Sequence, residues 1–79
     1  MAVANGEISP NPASDYVTIN LPMPGRKEVG IFSVNGGLQD SKFTDQNKLT
    51  LDVRQYAAGY YLVRVGTASE IYYSKFIKQ

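Results

Sequence analysis

Tyr60-Tyr61-Leu62-Val63-Arg64-Val65 is the stretch that decides the fold class. Tyrosine, leucine and valine all suit a pleated, packed surface, and a period of two sends Tyr61, Val63 and Val65 to one face and Tyr60, Leu62 and Arg64 to the other. Gly59 breaks the chain just before this run and Gly66-Thr67 turn it just after, so the six residues read as a bounded strand rather than part of a helix.

Working toward the end of the chain, a last strand is expected over residues 70–78, with Ile71, Tyr73, Lys75 and Ile77 on one face and Tyr72, Ser74, Phe76 and Lys78 on the other. Working back, Leu49, Leu51 and Val53 alternate with Lys48, Thr50 and Asp52, which gives a strand with one wet face. Residues 29–34 are apolar on both faces, Val29 and Ile31 against Phe32 and Val34, and therefore belong in the middle of a sheet. The Asn35-Gly36 pair that follows predicts a tight hairpin of type I′, in which both central residues take positive φ. Val17, Ile19 and Leu21 alternate with Tyr16, Thr18 and Asn20 as a further half-buried strand.

Turn signals at Asn11-Pro12, Pro24-Gly25, Asn35-Gly36, Asp45-Gln46-Asn47, Ala58-Gly59 and Gly66-Thr67 separate these runs, and Pro10, Pro12, Pro22 and Pro24 all fall outside them. Proline removes a ladder donor, so that placement agrees with the strands. Evenly spaced short strands predict an all-β protein, a small antiparallel β-sandwich of immunoglobulin-like type with about seven strands.

A chain of 79 residues has room for one domain, and a domain of that size buries only about 60–65% of its unfolded surface, so the core must be thin. Charged residues are 19% of the chain and leave a net charge of +1 with no run of like sign, which excludes the clustered Lys and Arg that nucleic-acid binding requires. Cysteine and histidine are both absent. Disulfides, thiolate chemistry, the commonest metal ligands and the commonest general base go with them. Glu7, Glu28, Asp40, Asp45, Asp52 and Glu70 are scattered without the paired environments that acid and base roles need, and no calcium-loop motif joins Asp40 to Asp45. No catalytic residue, metal or cofactor is expected. Residues 1–6 are small and unpatterned and read as a linker stub or a leftover of cloning, with the domain over residues 7–79. They contain no charged and apolar leader, so export would depend on a signal carried upstream.

Ile8-Ser9-Pro10-Asn11-Pro12-Ala13-Ser14-Asp15-Tyr16-Val17-Thr18-Ile19 resembles the opening of the type IX (Por) secretion system C-terminal sorting domains of Bacteroidota, in which an N-P-x-x-[DG] turn precedes an alternating strand. Ile31-Phe32-Ser33-Val34-Asn35-Gly36-Gly37-Leu38 is similar to that family's apolar strand, D-x-x-G-like hairpin and return strand, with Ser33 in place of the usual acid. Tyr56-Ala57-Ala58-Gly59-Tyr60-Tyr61-Leu62-Val63-Arg64-Val65 resembles its L-x-x-G-x-Y-x-[VL]-x-[VI] segment, with Gly59 and Tyr61 in register and Tyr56 where leucine is usual. Lys75-Phe76-Ile77-Lys78-Gln79 is similar to its short basic-apolar terminus, with Gln79 an extra polar residue.

The resemblance implies a non-enzymatic address label. A passenger crosses the inner membrane on a signal peptide, is recognised in the periplasm through this domain, and passes the outer-membrane translocon to the cell surface or medium. A surface sortase then commonly cuts the domain off and joins the passenger to an anionic lipopolysaccharide. Translocon, shuttle and sortase components are the implied partners, with Lys75, Phe76, Ile77 and Lys78 as candidates for recognition. Asn11, Pro12, Asp15, Asn35, Gly36, Gly59 and Tyr61 carry the motifs and have mainly structural roles, since turns account for most of them. An exposed last strand also offers unpaired backbone groups that a partner extends by strand addition, or that give a weak dimer of an otherwise monomeric domain.

Two other functions fit the same residues. Tyr60, Tyr61, Tyr72 and Tyr73 suggest a stacking platform of a carbohydrate-binding module, although alternation lets only half of them share a surface. A plain spacer domain needs nothing beyond the fold.

Overall fold

Seven antiparallel strands and no helix make up the described residues, 8–79, of the computed structural model. The predicted linker stub at residues 1–6 lies outside the described residues. In chain order the strands are β1 (Ile8–Ser9), β2 (Tyr16–Asn20), β3 (Lys27–Ser33), β4 (Leu38–Thr44), β5 (Lys48–Asp52), β6 (Gly59–Gly66) and β7 (Ile71–Lys78). They form a three-stranded sheet in the order β1-β2-β5 and a four-stranded sheet in the order β4-β3-β6-β7. Non-consecutive strands β2 and β5, and β3 and β6, are neighbours. The chain thus crosses between two sheets in a Greek-key manner, and the whole is the small antiparallel all-β sandwich of seven strands that the sequence predicts.

The core is filled by alternate residues from the two inner faces. Val17, Ile19, Leu21, Leu51 and Val53 come from the three-stranded side, and Val29, Ile31, Tyr61, Val63, Val65 and Phe76 from the other. The predicted inward rows of β2, β5 and β6 are all on the core side, and β3 is central, paired with β4 on one edge and β6 on the other. Burial of these rows fixes the register, because a slip by one residue would send every one of them into solvent.

The hairpin between β3 and β4 differs from the prediction. The N–H of Gly36 bonds the carbonyl of Ser33 at 2.9 Å and the N–H of Ser33 bonds the carbonyl of Gly37 at 3.0 Å. Gly36 has φ +90°, and no residue other than glycine has positive φ among those described. The turn is therefore a type I turn over residues 33–36 with a left-handed glycine and a bulge, a three-residue loop rather than a two-residue type I′ one. Val34, predicted as strand, stands in this turn with 68% of its surface exposed. Serine suits the first position of a type I turn as aspartate does, which explains how Ser33 replaces an acid there. One more irregularity follows: Ile31 pairs with Asp40 but Phe32 with Leu38, leaving Gln39 as an extra residue in β4.

Lys27 opens β3 on the core-facing row and is buried, its Nζ donating to the carbonyl of Gly25 at 2.6 Å. Its four methylenes extend the apolar row of Val29 and Ile31 while the ammonium reaches the turn at the sandwich end.

Candidate recognition edge

β7 closes the four-stranded sheet and carries the sequence-predicted recognition residues. Alternation divides them. Phe76 is completely buried, and Lys78 keeps only 8% of its surface exposed. The Lys78 Nζ donates to the carbonyl of Tyr56 at 3.2 Å and to the backbone oxygen of Gln79 at 3.3 Å. Lys75 and Ile77 lie on the other row, Lys75 exposed and Ile77 half-buried. The four residues read as one basic-apolar motif thus present two of their side chains to the core and two outward.

Phe76 stands at the end of an aromatic stack. Its ring lies 5.4 Å from that of Tyr61 at an interplanar angle of 17°, and Tyr61 in turn meets Tyr56 at 5.1 Å, tilted by 45°. Such contacts add roughly 0.5–1.5 kcal/mol each beyond area burial. The Tyr61 hydroxyl donates to the carbonyl of Ala57, four residues upstream, at 2.6 Å. That bond anchors the loop before β6 in the manner of a tyrosine corner. Gly59 starts the same strand at φ +140°, a conformation that side chains rarely adopt. The Tyr56 hydroxyl is buried without a hydrogen-bond partner among the described residues. Desolvation first, then the charge of Asp40 and the nearby Tyr61, pushes its pKa up to about 12. A leucine at this position would have no hydroxyl to bury.

The start of the domain closes over the outer edge of β7. Asn11 Oδ1 accepts the N–H of Ile77 at 2.9 Å. The N–H of Ala13 bonds the carbonyl of Ile77 at 2.8 Å, and the N–H of Gln79 bonds the carbonyl of Ala13 at 2.7 Å. Ala13, wholly buried, forms a one-residue parallel bridge with Lys78. The bonds preceding Pro10 and Pro12 are both cis. Asp15 contributes its backbone carbonyl to the N–H of Val53 at 2.8 Å. Sequence reasoning took Asn11-Pro12 for a turn alone and gave Ala13 no role. No local signal announces a contact between residues 66 positions apart.

Ile77 directs both its backbone groups away from β6, toward Asn11 and Ala13. In an antiparallel ladder alternate residues do the same. Lys75, Tyr73 and Ile71 therefore point their N–H and C=O outward, while Phe76, Ser74 and Tyr72 face β6. The clasp ends at Ile77, and no described residue pairs with the outward backbone groups of Tyr73 or Lys75.

Elsewhere the surface mixes ion-paired groups with exposed apolar side chains such as Val34, Leu38 and Phe43. Asp52 takes a two-pronged ion pair from Arg54, with Nε to Oδ1 at 3.0 Å and Nη2 to Oδ2 at 2.6 Å. The hydrogen bonds from Arg54 hold the Asp52 pKa down to about 2. Both groups are half exposed, so the pair adds little stability. Tyr60 and Tyr73 are exposed on the outer face of the four-stranded sheet, but the pairing of Leu62 with Lys75 lies between their rungs. Tyr61 and Tyr72 point inward. The four tyrosines are thus divided, as alternation predicted. Among the described residues no group of three carboxylates stands together as a metal site.

Compared with known proteins, residues 7–79 match the family described as "Secretion system C-terminal sorting domain". No curated protein matches the chain.

Proposed function

This chain belongs to the type IX secretion-system C-terminal sorting domain family, and from that premise we propose that it addresses a passenger, joined before residue 7, to the type IX outer-membrane translocon. The passenger crosses the periplasm in transit and reaches the cell surface or the medium. There a sortase cuts the linker and attaches the passenger to surface lipopolysaccharide. The domain serves as a rigid tag and the chemistry belongs to its partners.

The observation that carries this reading, beyond the family match, is the clasp between Asn11, Ala13 and the end of β7. It holds the family's opening Asn11-Pro12-Ala13 motif beside the C-terminal strand, so a component that engages the tail meets both ends of the motif-bearing domain. Lys75 and Ile77 are proposed to meet that component directly, and Phe76 and Lys78 to hold the strand in place.

The test fuses residues 1–79 behind a signal peptide and a fluorescent reporter, in a type IX-competent cell and in one lacking the translocon. Delivery to surface or medium only in the competent cell is expected. Periplasmic retention in both, with the domain folded, would overturn the reading and bring the carbohydrate-binding or spacer role forward.

A further inference from the structure

The sheets offer four edges, and three of them are blunted. Among the described residues β1 spans only Ile8 and Ser9. On β4 the N–H of Ser41 is taken by Asp40 Oδ1 at 2.8 Å, the extra Gln39 bends the strand beside it, and the 57%-exposed ring of Phe43 is covered by the Arg26 guanidinium at 4.6 Å. On β5, Asn47 and Val53 point their backbone groups to β2, so alternation turns outward the groups of Lys48, Thr50 and Asp52, and the charged side chains of Lys48 and Asp52 guard that edge. β7 differs. Its outward residues Ile71, Tyr73 and Lys75 include two large apolar side chains, 57% and 55% exposed for Ile71 and Tyr73. The window they form has fixed limits: the turn bond from the N–H of Thr67 to the carbonyl of Glu70 at one end and the clasp on Ile77 at the other.

We infer that the open edge of β7, at Ile71, Tyr73 and Lys75, is a strand-addition site for an extended segment of a protein partner with apolar residues opposite Ile71 and Tyr73 and a carboxylate opposite Lys75. This deepens the sorting reading by naming the edge that is read. Three outward residues, each with one N–H and one C=O, give up to six backbone bonds to an antiparallel guest. The acid is called for by charge. Lys75 has no partner among the described residues, and on the same outer face Arg64 pairs across the ladder with Tyr73. A second copy of β7 fits less well: two-fold pairing about Tyr73 sets Lys75 against Ile71 at both ends and leaves both ammonium groups uncompensated. Strand pairing alone also buries less than the ~1,000 Å² a stable dimer needs.

The probe is the peptide acetyl-Thr-Glu-Thr-Val-Thr-Val-Thr-amide, which in the antiparallel register sets glutamate opposite Lys75 and valines opposite Tyr73 and Ile71. Added to residues 1–79 labelled with ¹⁵N, it is expected to slow amide exchange at Ile71, Tyr73 and Lys75 by about tenfold, with Tyr72 and Ser74 unchanged. Tyr73→Pro removes an outward N–H without touching the β6 ladder and should weaken binding by about tenfold while the thermal transition persists. Lys75→Glu, which needs no backbone change, should reverse the preference between this peptide and one with lysine in place of glutamate. Protection on β4 instead, or none at millimolar peptide, would overturn the proposal. So would equal binding by Tyr73→Pro, and so would protection that grows with protein concentration alone, which would make a second copy the occupant. These readouts are made on the purified domain. A wild-type fusion that fails to be exported would sink the sorting reading and leave the edge measurement standing.

Discussion

Replacing Asn11 with alanine isolates the clasp between the two ends of the domain. The side chain contributes one hydrogen bond, Oδ1 to the N–H of Ile77 at 2.9 Å, in an exposed setting. Water can take over an exposed donor, so the net loss is that of an ordinary hydrogen bond, about 1 kcal/mol. In a domain of this size that lowers the thermal midpoint by roughly 4–8 °C. If the end of β7 opens locally, the same energy raises the opening constant about fivefold and the Ile77 amide exchanges faster by that factor, whereas the Val63 amide at the sheet centre, opened only by global unfolding, gains no more than the global loss and stays far slower than Ile77. Asn11→Asp keeps an acceptor at the same place and should restore most of both effects. Thermal melts followed by circular dichroism and residue-resolved hydrogen exchange measure the two quantities. An Ile77 amide that exchanges equally in Asn11→Ala and the parent, or an aspartate variant no better than alanine, would show that Asn11 is a turn residue only.

Phe76→Ala removes a wholly buried ring from the aromatic stack and should cost about 3–5 kcal/mol, a large share of the roughly 4–12 kcal/mol that a domain of this length commands. Lys75→Ala should stay within about 0.5 kcal/mol, and urea titrations of the two variants give the comparison. Tyr56→Phe removes an unpartnered buried hydroxyl and should raise stability by about 1 kcal/mol. Folding holds the Tyr56 phenol neutral up to about 12, against 10.0 for the free group. The parent's stability is therefore full below pH 10 and falls as pH rises toward 12, because the unfolded state ionises first. An alkaline titration of Tyr56→Phe should lack that loss. Gly36→Ala, at φ +90°, should destabilise by about 1 kcal/mol. Gly37→Ala, where an added Cβ meets only the Ser33 Oγ at 3.8 Å, should be close to neutral.

Periodicity made most of the sandwich legible. Val17 and Ile19, Leu51 and Val53, and Tyr61, Val63 and Val65 are inward in the structure because a thin core leaves no other arrangement that buries them. The same rule carried further than residue type suggests. Lys27 shares a row with Val29 and Ile31, and Lys78 one with Phe76, and both lysines are buried. Charge argued for the surface, but the aliphatic stems won because each ammonium reaches a backbone oxygen at a sandwich end. The hairpin type was not legible from Asn35-Gly36, since loop length depends on how β3 and β4 pair beyond the turn. The clasp was hidden for a deeper reason: Asn11 and Ile77 meet only after the whole sandwich has formed.

The residues proposed for recognition split along the same alternation, and this changes how a sorting defect must be interpreted. Lys75, Phe76, Ile77 and Lys78 are consecutive in sequence, yet Phe76 and Lys78 lie in the core while Lys75 and Ile77 face outward. Removing the tail as a block takes away a core ring and the clasp together with any recognised surface, and lost export would then report misfolding as readily as lost recognition. The outward groups of Tyr73 and Lys75 are in line only while β6 holds the inner side of β7. An address read from that edge therefore exists only in the folded domain. Substitutions on the inward row should cut export in proportion to lost stability, and substitutions on the outward row should cut it with the melting transition unchanged. Export and melting that move together at Tyr73 and Lys75 as they do at Phe76 would mean that the edge is merely structural.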